Sequence, residues 1–140
     1  MTYSGEGVKT PMNANERRAR LDKVTEAIVG CAFKVSNTLG VGFLEKVYEN
    51  ALAVELRRAG LKVQQQHDVK VTYEGVVVGD YTADLLVENG IVVELKAASA
   101  IEAIHRAQCL NYLRAANLSV GLVINFGQPR LEVRRVVKGF

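Results

Sequence analysis

The sequence predicts an α/β domain in which helices flank a mixed β-sheet. Two helical stretches come first, segments with strand character fill residues 63–97, and a third helix leads into an apolar run at residues 119–126. The strand, helix and strand at the end of this order indicate a right-handed parallel crossover, whereas the short strands before it indicate an antiparallel meander. The expected sheet therefore combines antiparallel strands with one parallel strand.

The composition bounds the number of domains and the kinds of partner. The chain has 140 residues, 49% of them hydrophobic, 24% charged, and a net charge of +3. This size allows one core, and so small a charge permits a polyanionic partner without requiring one. Because no apolar run is long enough to span a bilayer, we expect no membrane partner.

The N-terminal residues predict a flexible tail. Residues 1–14 lack the apolar segment of a signal peptide, and residues 15–140 make up the single predicted domain. Cys31 and Cys109 lie far apart in helical patterns, without the spacing of metal ligands. With no export signal, we expect both to be reduced thiols and the protein to be cytoplasmic.

Helical periodicity predicts the first two elements. Between about residues 15 and 39, apolar side chains recur every three or four positions, which indicates an amphipathic helix. The residues at this spacing are Leu21, Val24, Ile28, Cys31, Val35 and Leu39. The sequence LGVG at 39–42 interrupts the pattern. A second helix is expected over 43–59, ended by Gly60 at a C-cap position.

The second half of the chain predicts the sheet and a third helix. Strand character is found over residues 63–73, 76–78, 81–87 and 91–97. Ser99 and Glu102 resemble a capping box that opens a helix through about Ala116. The run SVGLVINF, residues 119–126, is typical of a strand covered on both faces, and RLEVRRVV, residues 130–137, of a polar-faced edge strand.

The hairpin ADLLVENGIVVELKA, residues 83–97, carries charges inside apolar strands, and its register decides whether they meet. A two-residue Asn-Gly loop would place Asp84 and Glu94 on opposite faces. A three-residue loop, residues 88–90, pairs Asp84 with Glu94 and Leu86 with Val92, with Gly90 in the left-handed position. We favour this register because it leaves the charges of Asp84, Glu94 and Lys96 on one face. The other face is then wholly apolar and comprises Tyr81, Ala83, Leu85, Val87, Ile91, Val93 and Leu95.

Two adjacent carboxylates repel each other, so a positive charge is expected between them. Lys96 neutralises part of this charge, and Mg²⁺ is the other candidate because one or two carboxylates commonly hold it. Without metal, at least one of Asp84 and Glu94 should have a raised pKa. The alternative is a structural salt bridge between Asp84 and Lys96 on a solvated sheet face.

Polar residues on two helices favour a functional site over a salt bridge. Glu45 lies at helical spacing with Tyr48, within the apolar arc of the second helix, as does Glu55. In the third helix, Gln108 lies near the middle of an apolar face, where a glutamine usually has a buried hydrogen-bonding role. That face comprises Ile101, Ile104, Gln108, Tyr112 and Ala115, with His105 beside them. Packing at the margin of the core is the alternative reading of His105 and Tyr112.

These motifs together resemble the PD-(D/E)XK nuclease superfamily. Asp84 followed by ELK at 94–96 is similar to its acidic motif, and QCLNY at 108–112 to the glutamine-x3-tyrosine motif of its exonuclease-like branch. GFLEKVY at 42–48 resembles the GxxExxY proteins, with Val41 in place of the usual proline between the glycines; the proline of the nominal PD is likewise replaced by Ala83. The likeness runs from about residue 24 to 137 and includes YTADLLVE and GLVINFG.

The resemblance implies a restriction-endonuclease-like core and a nuclease that hydrolyses phosphodiester bonds of DNA or RNA. It implies that Asp84 and Glu94 hold Mg²⁺, with Mn²⁺ as a substitute and the Leu95 carbonyl as a further ligand. Glu45 would complete the metal site directly or through water. Lys96 would orient the attacking water or stabilise developing charge. The resemblance further implies that Gln108 and Tyr112 fix the substrate phosphate and the neighbouring acids.

A second reading is a nucleic-acid-binding or regulatory protein of the same fold that is catalytically silent or depends on a partner. So small a domain has little surface with which to grip a duplex, which favours a homodimer or a partner protein. A nucleotide-binding loop is set aside because GVGFLE follows a helix and lacks both the third glycine of a dinucleotide fingerprint and the lysine of a P-loop.

Overall fold

The computed structural model describes residues 11–139, which form a five-stranded mixed sheet and three helices. The sheet order is β1-β2-β3-β4-β5; β3 and β4 are parallel and the other neighbours antiparallel. The predicted fold class is therefore confirmed. The elements are α1 (Ala14–Leu39), α2 (Glu45–Arg58), β1 (Val63–Tyr73), β2 (Val76–Val87), β3 (Ile91–Lys96), α3 (Ala103–Ala116), β4 (Val120–Asn125) and β5 (Glu132–Val137).

Two hydrophobic cores cover the two faces of the sheet. The α1 and α2 helices pack on one face against residues such as Leu85 and Val93. The α3 helix packs on the other face against Leu86 and Val92, with the buried Cys109 among its contacts. Cys31 and Cys109 are free thiols, as expected. None of the helices within residues 11–139 combines the length and apolarity needed to cross a membrane.

The α1 helix begins one residue earlier than predicted. Asn13 caps it by accepting a hydrogen bond from the backbone N–H of Glu16 at 2.8 Å, so the last residues of the expected tail belong to the helix start. Residues 1–10 of that tail lie outside the described residues. Val24, Ile28 and Val35 are buried, as the helical spacing predicted.

Two element boundaries in the second half differ from the prediction. The expected strands 76–78 and 81–87 are one continuous strand, because β1 pairs with this segment along its length. The α3 helix begins at Ala103 after Glu102, not at Ser99. The backbone N–H of Glu102 donates to His105 Nδ1 at 3.0 Å. His105 therefore caps the N-terminus of the helix, a role that the sequence did not indicate.

The hairpin between β2 and β3 has the predicted three-residue register, since Leu86 pairs with Val92 and Val87 with Ile91. The predicted ladder pair of Asp84 with Glu94 does not form, because the ladder ends at Leu85 opposite Val93. The conformation of its loop was predicted wrongly. Glu88 and Asn89 take the left-handed conformation, with φ of 53° and 54°, whereas Gly90 does not. Two residues with positive φ are typical of loops that match the right-handed twist of the strands.

The face that the hairpin of β1 and β2 buries changes at Gln66. Gln66 has a φ of 53° inside the strand, and no ladder pair forms between Gln66 and Asp84. Beyond this point the alternation shifts, and Ala83 and Tyr81 pack with α3 rather than with α1 and α2. The predicted apolar face is correct for residues 85–95 and wrong for these two.

Candidate active site

The site lies where strands β2 and β3 separate. Their ladder ends at Leu85 opposite Val93, although β3 stays paired with β4 as far as Lys96. Asp84 and Glu94 are the next residues on the two strands, and their carboxylates lie in the gap between the strands. The backbone N–H of Leu95 donates to Asp84 Oδ2 at 2.7 Å, and the N–H of Asp84 lies 3.3 Å from Glu94 Oε1. Backbone N–H groups thus hold both acids side by side.

The pKa values of both acids are raised. Burial and the neighbouring Asp84 charge together raise the pKa of Glu94 to about 8. Burial also raises the pKa of Asp84, with a smaller contribution from the charge of Glu49, against the hydrogen bond from Leu95. This agrees with the expectation for two crowded carboxylates without a metal. A positive charge in the gap would therefore favour the ionised forms of both acids.

Lys96 supplies part of that positive charge. It is half-buried and two residues beyond Glu94, on the same side of β3, and its charge lowers the pKa of Glu94. Within residues 11–139, no ion pair joins Lys96 to Asp84. The described part of the chain therefore does not contain the cross-strand salt bridge that was the alternative reading.

Glu45 lies at the outer side of the site. It is exposed in the first turn of α2, and its charge raises the pKa of both Asp84 and Glu94. Over the described range 11–139, no three His, Cys, Asp or Glu side chains are grouped closely enough to hold a metal ion by themselves. The protein thus offers a pair of inner carboxylates with Glu45 nearby, not three converging ligands.

Tyr48, the last residue of the GFLEKVY motif, has a structural role. Its hydroxyl donates to the Gly40 carbonyl at 2.6 Å and accepts from the Phe43 N–H at 3.2 Å. Its ring stacks on Phe126, with the centroids 4.8 Å apart. These contacts fix the loop that sets the start of α2 and hence the position of Glu45.

Glu49 and Gln66 belong to the site and were not predicted. Glu49 is only 3% exposed, and its carboxylate accepts hydrogen bonds from Gln66 at 2.6 Å, Gln65 at 2.8 Å and Lys46 at 2.9 Å. The same Gln66 amide also lies 3.4 Å from Asp84 Oδ1. The helical spacing of Glu49 with buried residues at 52, 53 and 56 was the signal available in the sequence.

The α3 helix presents its polar residues differently from the prediction. Gln108 is exposed, because the buried face of the helix is formed by Cys109, Tyr112 and Leu113. The predicted buried hydrogen-bonding role of Gln108 is therefore wrong. The Tyr112 hydroxyl lies 2.6 Å from Nδ1 of His67, a residue that the sequence did not single out, and donates to the His67 carbonyl at 3.2 Å.

Tyr112 is close enough to the acids to be affected by them. Burial raises its pKa, and the charge of Glu94 adds to the effect. Burial and Glu94 likewise raise the pKa of Cys109 to about 12, so this thiol stays protonated. Tyr112 thus lies within electrostatic range of Glu94, whereas Gln108, one helical turn away, is exposed.

The backbone after Lys96 is held by the end of β4. The Asn125 side chain donates to the Ala98 carbonyl and accepts from the Ala98 N–H, both at 3.0 Å. The N–H of Phe126 donates to the Lys96 carbonyl at 2.8 Å. Gly127 lies so close that a Cβ there would be 2.2 Å from the Ala98 carbonyl oxygen. Asn125, Phe126 and Gly127 therefore fix where β3 ends.

The oxygen atoms in the gap suit a hard divalent cation. Mg²⁺ is typically held by one or two carboxylates together with waters and substrate phosphates. Asp84 and Glu94 supply the carboxylates. The Leu95 carbonyl points to the same side of β3 as its N–H, which is the side facing Asp84. The raised pKa values of both acids fit such a cation, because it would replace their protons.

Comparisons with known proteins identify the superfamily of the chain. A family model described as the PD-(D/E)XK nuclease superfamily matches residues 22–136, which confirms the resemblance at the level of the superfamily. The narrower likeness to the GxxExxY proteins stays a prediction. Among curated protein sequences, none matches this chain.

Two solved structures share the fold at low sequence identity. The crystal structure of SSO0001 has a TM-score of 0.54 and 17% identity, over 89% of this chain and 62% of that chain. An alkaline exonuclease (LHK-Exo) from Laribacter hongkongensis has a TM-score of 0.51 and 10% identity, over 93% of this chain and 73% of its own. The chain thus spans less than two thirds of the length of SSO0001.

Proposed function

Because the chain belongs to the PD-(D/E)XK nuclease superfamily, we propose that it is a divalent-metal-dependent nuclease that hydrolyses phosphodiester bonds in DNA or RNA. One observation carries the proposal: Asp84 and Glu94 lie side by side in the gap between two separating strands, with Lys96 on the same side of β3 as Glu94. The fold shared with an alkaline exonuclease is consistent with a nucleic-acid substrate.

Asp84 and Glu94 would hold Mg²⁺ or Mn²⁺, with the Leu95 carbonyl as a third ligand and Glu45 acting through water. When bound, the ion lowers the pKa of a water and offsets negative charge on the phosphate. The exposure of Glu45 suits a water-mediated role. The backbone hydrogen bonds to Asp84 and Glu94 keep both acids in place before a metal arrives.

Lys96 would act on the substrate rather than on the metal. A charged lysine has only N–H donors and cannot be a metal ligand. Its ammonium lies close enough to Glu94 to affect that acid, and from there it would orient the attacking water or stabilise charge that develops on the phosphate. Gln108 would contact the substrate phosphate from the exposed side of α3, and Tyr112 would keep that helix against the acids.

Cleavage by the wild type and by Lys96→Ala tests the proposal. Single-stranded DNA, duplex DNA and RNA are incubated with each protein in Mg²⁺ and in Mn²⁺, and binding of the same substrates is measured in parallel. We expect cleavage by Lys96→Ala to fall by about two orders of magnitude, the effect of removing one charge-stabilising donor. Lys62→Ala, at an exposed lysine just before β1, is the matched control and should cleave normally.

Two results would contradict the proposal. Equal cleavage by wild type and Lys96→Ala would indicate a contaminating nuclease and would remove Lys96 from the mechanism. Binding without cleavage of any substrate, in either metal, would favour the nucleic-acid-binding or partner-dependent reading.

A further inference from the structure

We propose that Gln66 is a positioning residue that fixes the carboxylate of Asp84 by anchoring it to the buried Glu49. This inference rests on the proposed function, because it assigns Gln66 to the metal site formed by Asp84 and Glu94. None of the motifs that point to this site includes Gln66 or Glu49.

The backbone of Gln66 is the first observation. In the described part of the chain, five non-glycine residues have positive φ, and four of them lie in turns or at a helix end: Glu74, Glu88, Asn89 and Asn117. Gln66, with φ 53°, alone lies inside a strand. Such a conformation is strained for a side chain with a Cβ and persists only where the surroundings impose it.

The side chain of Gln66 supplies a reason for the strain. A glutamine amide has two N–H donors, and the Gln66 amide nitrogen lies 2.6 Å from Glu49 Oε1 and 3.4 Å from Asp84 Oδ1. The amide group of Gln66 thus lies within hydrogen-bonding distance of two carboxylates, one on α2 and one on β2. Burial does not explain the conformation, because Gln66 is exposed.

Glu49 is a rigid anchor for this contact. It is 3% exposed, and the side chains of Gln65 and Lys46 hold its second oxygen. Since Gln66 is fixed by Glu49, it presents its remaining N–H to Asp84 from a constant position. The other Asp84 oxygen is held by the Leu95 N–H. The Asp84 carboxylate is therefore oriented from two sides, by the Gln66 amide and by the Leu95 N–H.

Glycine is the informative substitution at position 66. Glycine adopts positive φ without strain, so in Gln66→Gly the relief of strain offsets part of the cost of leaving the buried Glu49 with one donor fewer, while the amide contact to Asp84 is lost. Removing a group that orients a metal ligand typically weakens metal binding by about 10- to 100-fold. Gln66→Asn keeps an amide and tolerates the left-handed conformation, and should lose less affinity than Gln66→Gly.

Gln64→Gly is the matched control. Gln64 is an exposed glutamine on the same strand, without positive φ, and its side chain contacts Asn89 at the far end of the hairpin. A glycine there adds flexibility without relieving strain, so it should lower the melting temperature. It should leave metal affinity unchanged.

The experiment measures Mn²⁺ binding to the whole chain at about pH 8 by electron paramagnetic resonance of free Mn²⁺, alongside thermal melts in EDTA. We expect Gln66→Gly to remain folded, with a cooperative thermal melt, and to bind Mn²⁺ at least about tenfold more weakly. Equal Mn²⁺ affinity of wild type and Gln66→Gly would overturn this inference and leave the proposed nuclease intact. An equal loss in Gln64→Gly would also overturn it. A wild-type protein that binds no Mn²⁺ would refute the proposed metal site itself.

Discussion

Replacing Glu94 by glutamine should change how the stability of the metal-free protein depends on pH. Burial and the neighbouring Asp84 raise the pKa of Glu94 from 4.5 to about 8. Between pH 4.5 and about pH 8, the carboxyl group of Glu94 keeps its proton in the folded protein and loses it in the unfolded chain. Stability is therefore lost as pH rises through this window. Glutamine has nearly the same shape and does not titrate, so Glu94→Gln should lack this part of the pH dependence.

The size of the effect follows from the pKa shift. Each pKa unit is worth about 1.4 kcal/mol, so Glu94 lowers the free energy of unfolding by about 3 kcal/mol at pH 7 and by about 5 kcal/mol well above pH 8. Below its unfolded pKa of 4.5 the penalty disappears. Relative to the wild type, Glu94→Gln should gain stability as pH rises.

Urea unfolding in EDTA, over a pH series from about 5 to 9, measures this difference. Glu26→Gln, at an exposed site on α1, is the control and should run parallel to the wild type. Mg²⁺ should restore stability to the wild type at high pH, because it binds the folded protein preferentially, and should have little effect on Glu94→Gln. Parallel pH curves for wild type and Glu94→Gln would refute the reasoning.

Two glycines provide further predictions. A Cβ at Gly121 would lie 2.5 Å from the Cys109 sulfur, so Gly121→Ala should lower stability by about 1–3 kcal/mol. Adding Cys109→Ala should recover part of that loss in urea unfolding, and a double variant as unstable as the sum of both changes would argue against the clash. Gly127→Ala should be more damaging, because its Cβ would meet backbone atoms of residues 97 and 98, the nearest at 2.2 Å. Thermal melting checks this, and a wild-type melting temperature would contradict the close approach.

The register of the central hairpin could be predicted because its apolar alternation permits one solution. A two-residue loop would have scattered the charges of Asp84 and Glu94 over both faces, and the observed pairing of Leu86 with Val92 agrees with the alternative. The helical spacing around Tyr48 likewise predicted a buried face. Patterns that repeat over several residues thus indicated the sheet, the helices and the pair of acids.

The remaining errors come from features that belong to single residues. Nothing in the run of glutamines at 64–66 indicates that Gln66 alone takes a positive φ, yet beyond this residue the buried face changes and Tyr81 packs towards α3. Gln108 was assigned to the wrong face because the apolar pattern of α3 is weak, and a shift of one residue buries Cys109 instead. Glu49 was missed because a buried carboxylate requires donors from another element, which only the tertiary structure brings together.

Asn125, Phe126 and Gly127 hold the end of β3 in place. The site can therefore form during synthesis only after these three residues have been made. Both acids and the lysine have been made once the chain reaches residue 96. The backbone beyond Lys96 is fixed only by groups made about thirty residues later, beyond the parallel crossover. Parallel pairing between distant segments forms late in folding. A nascent chain that ends before β4 therefore carries Asp84, Glu94 and Lys96 without the arrangement that makes them a site, and metal binding would report that the domain is complete.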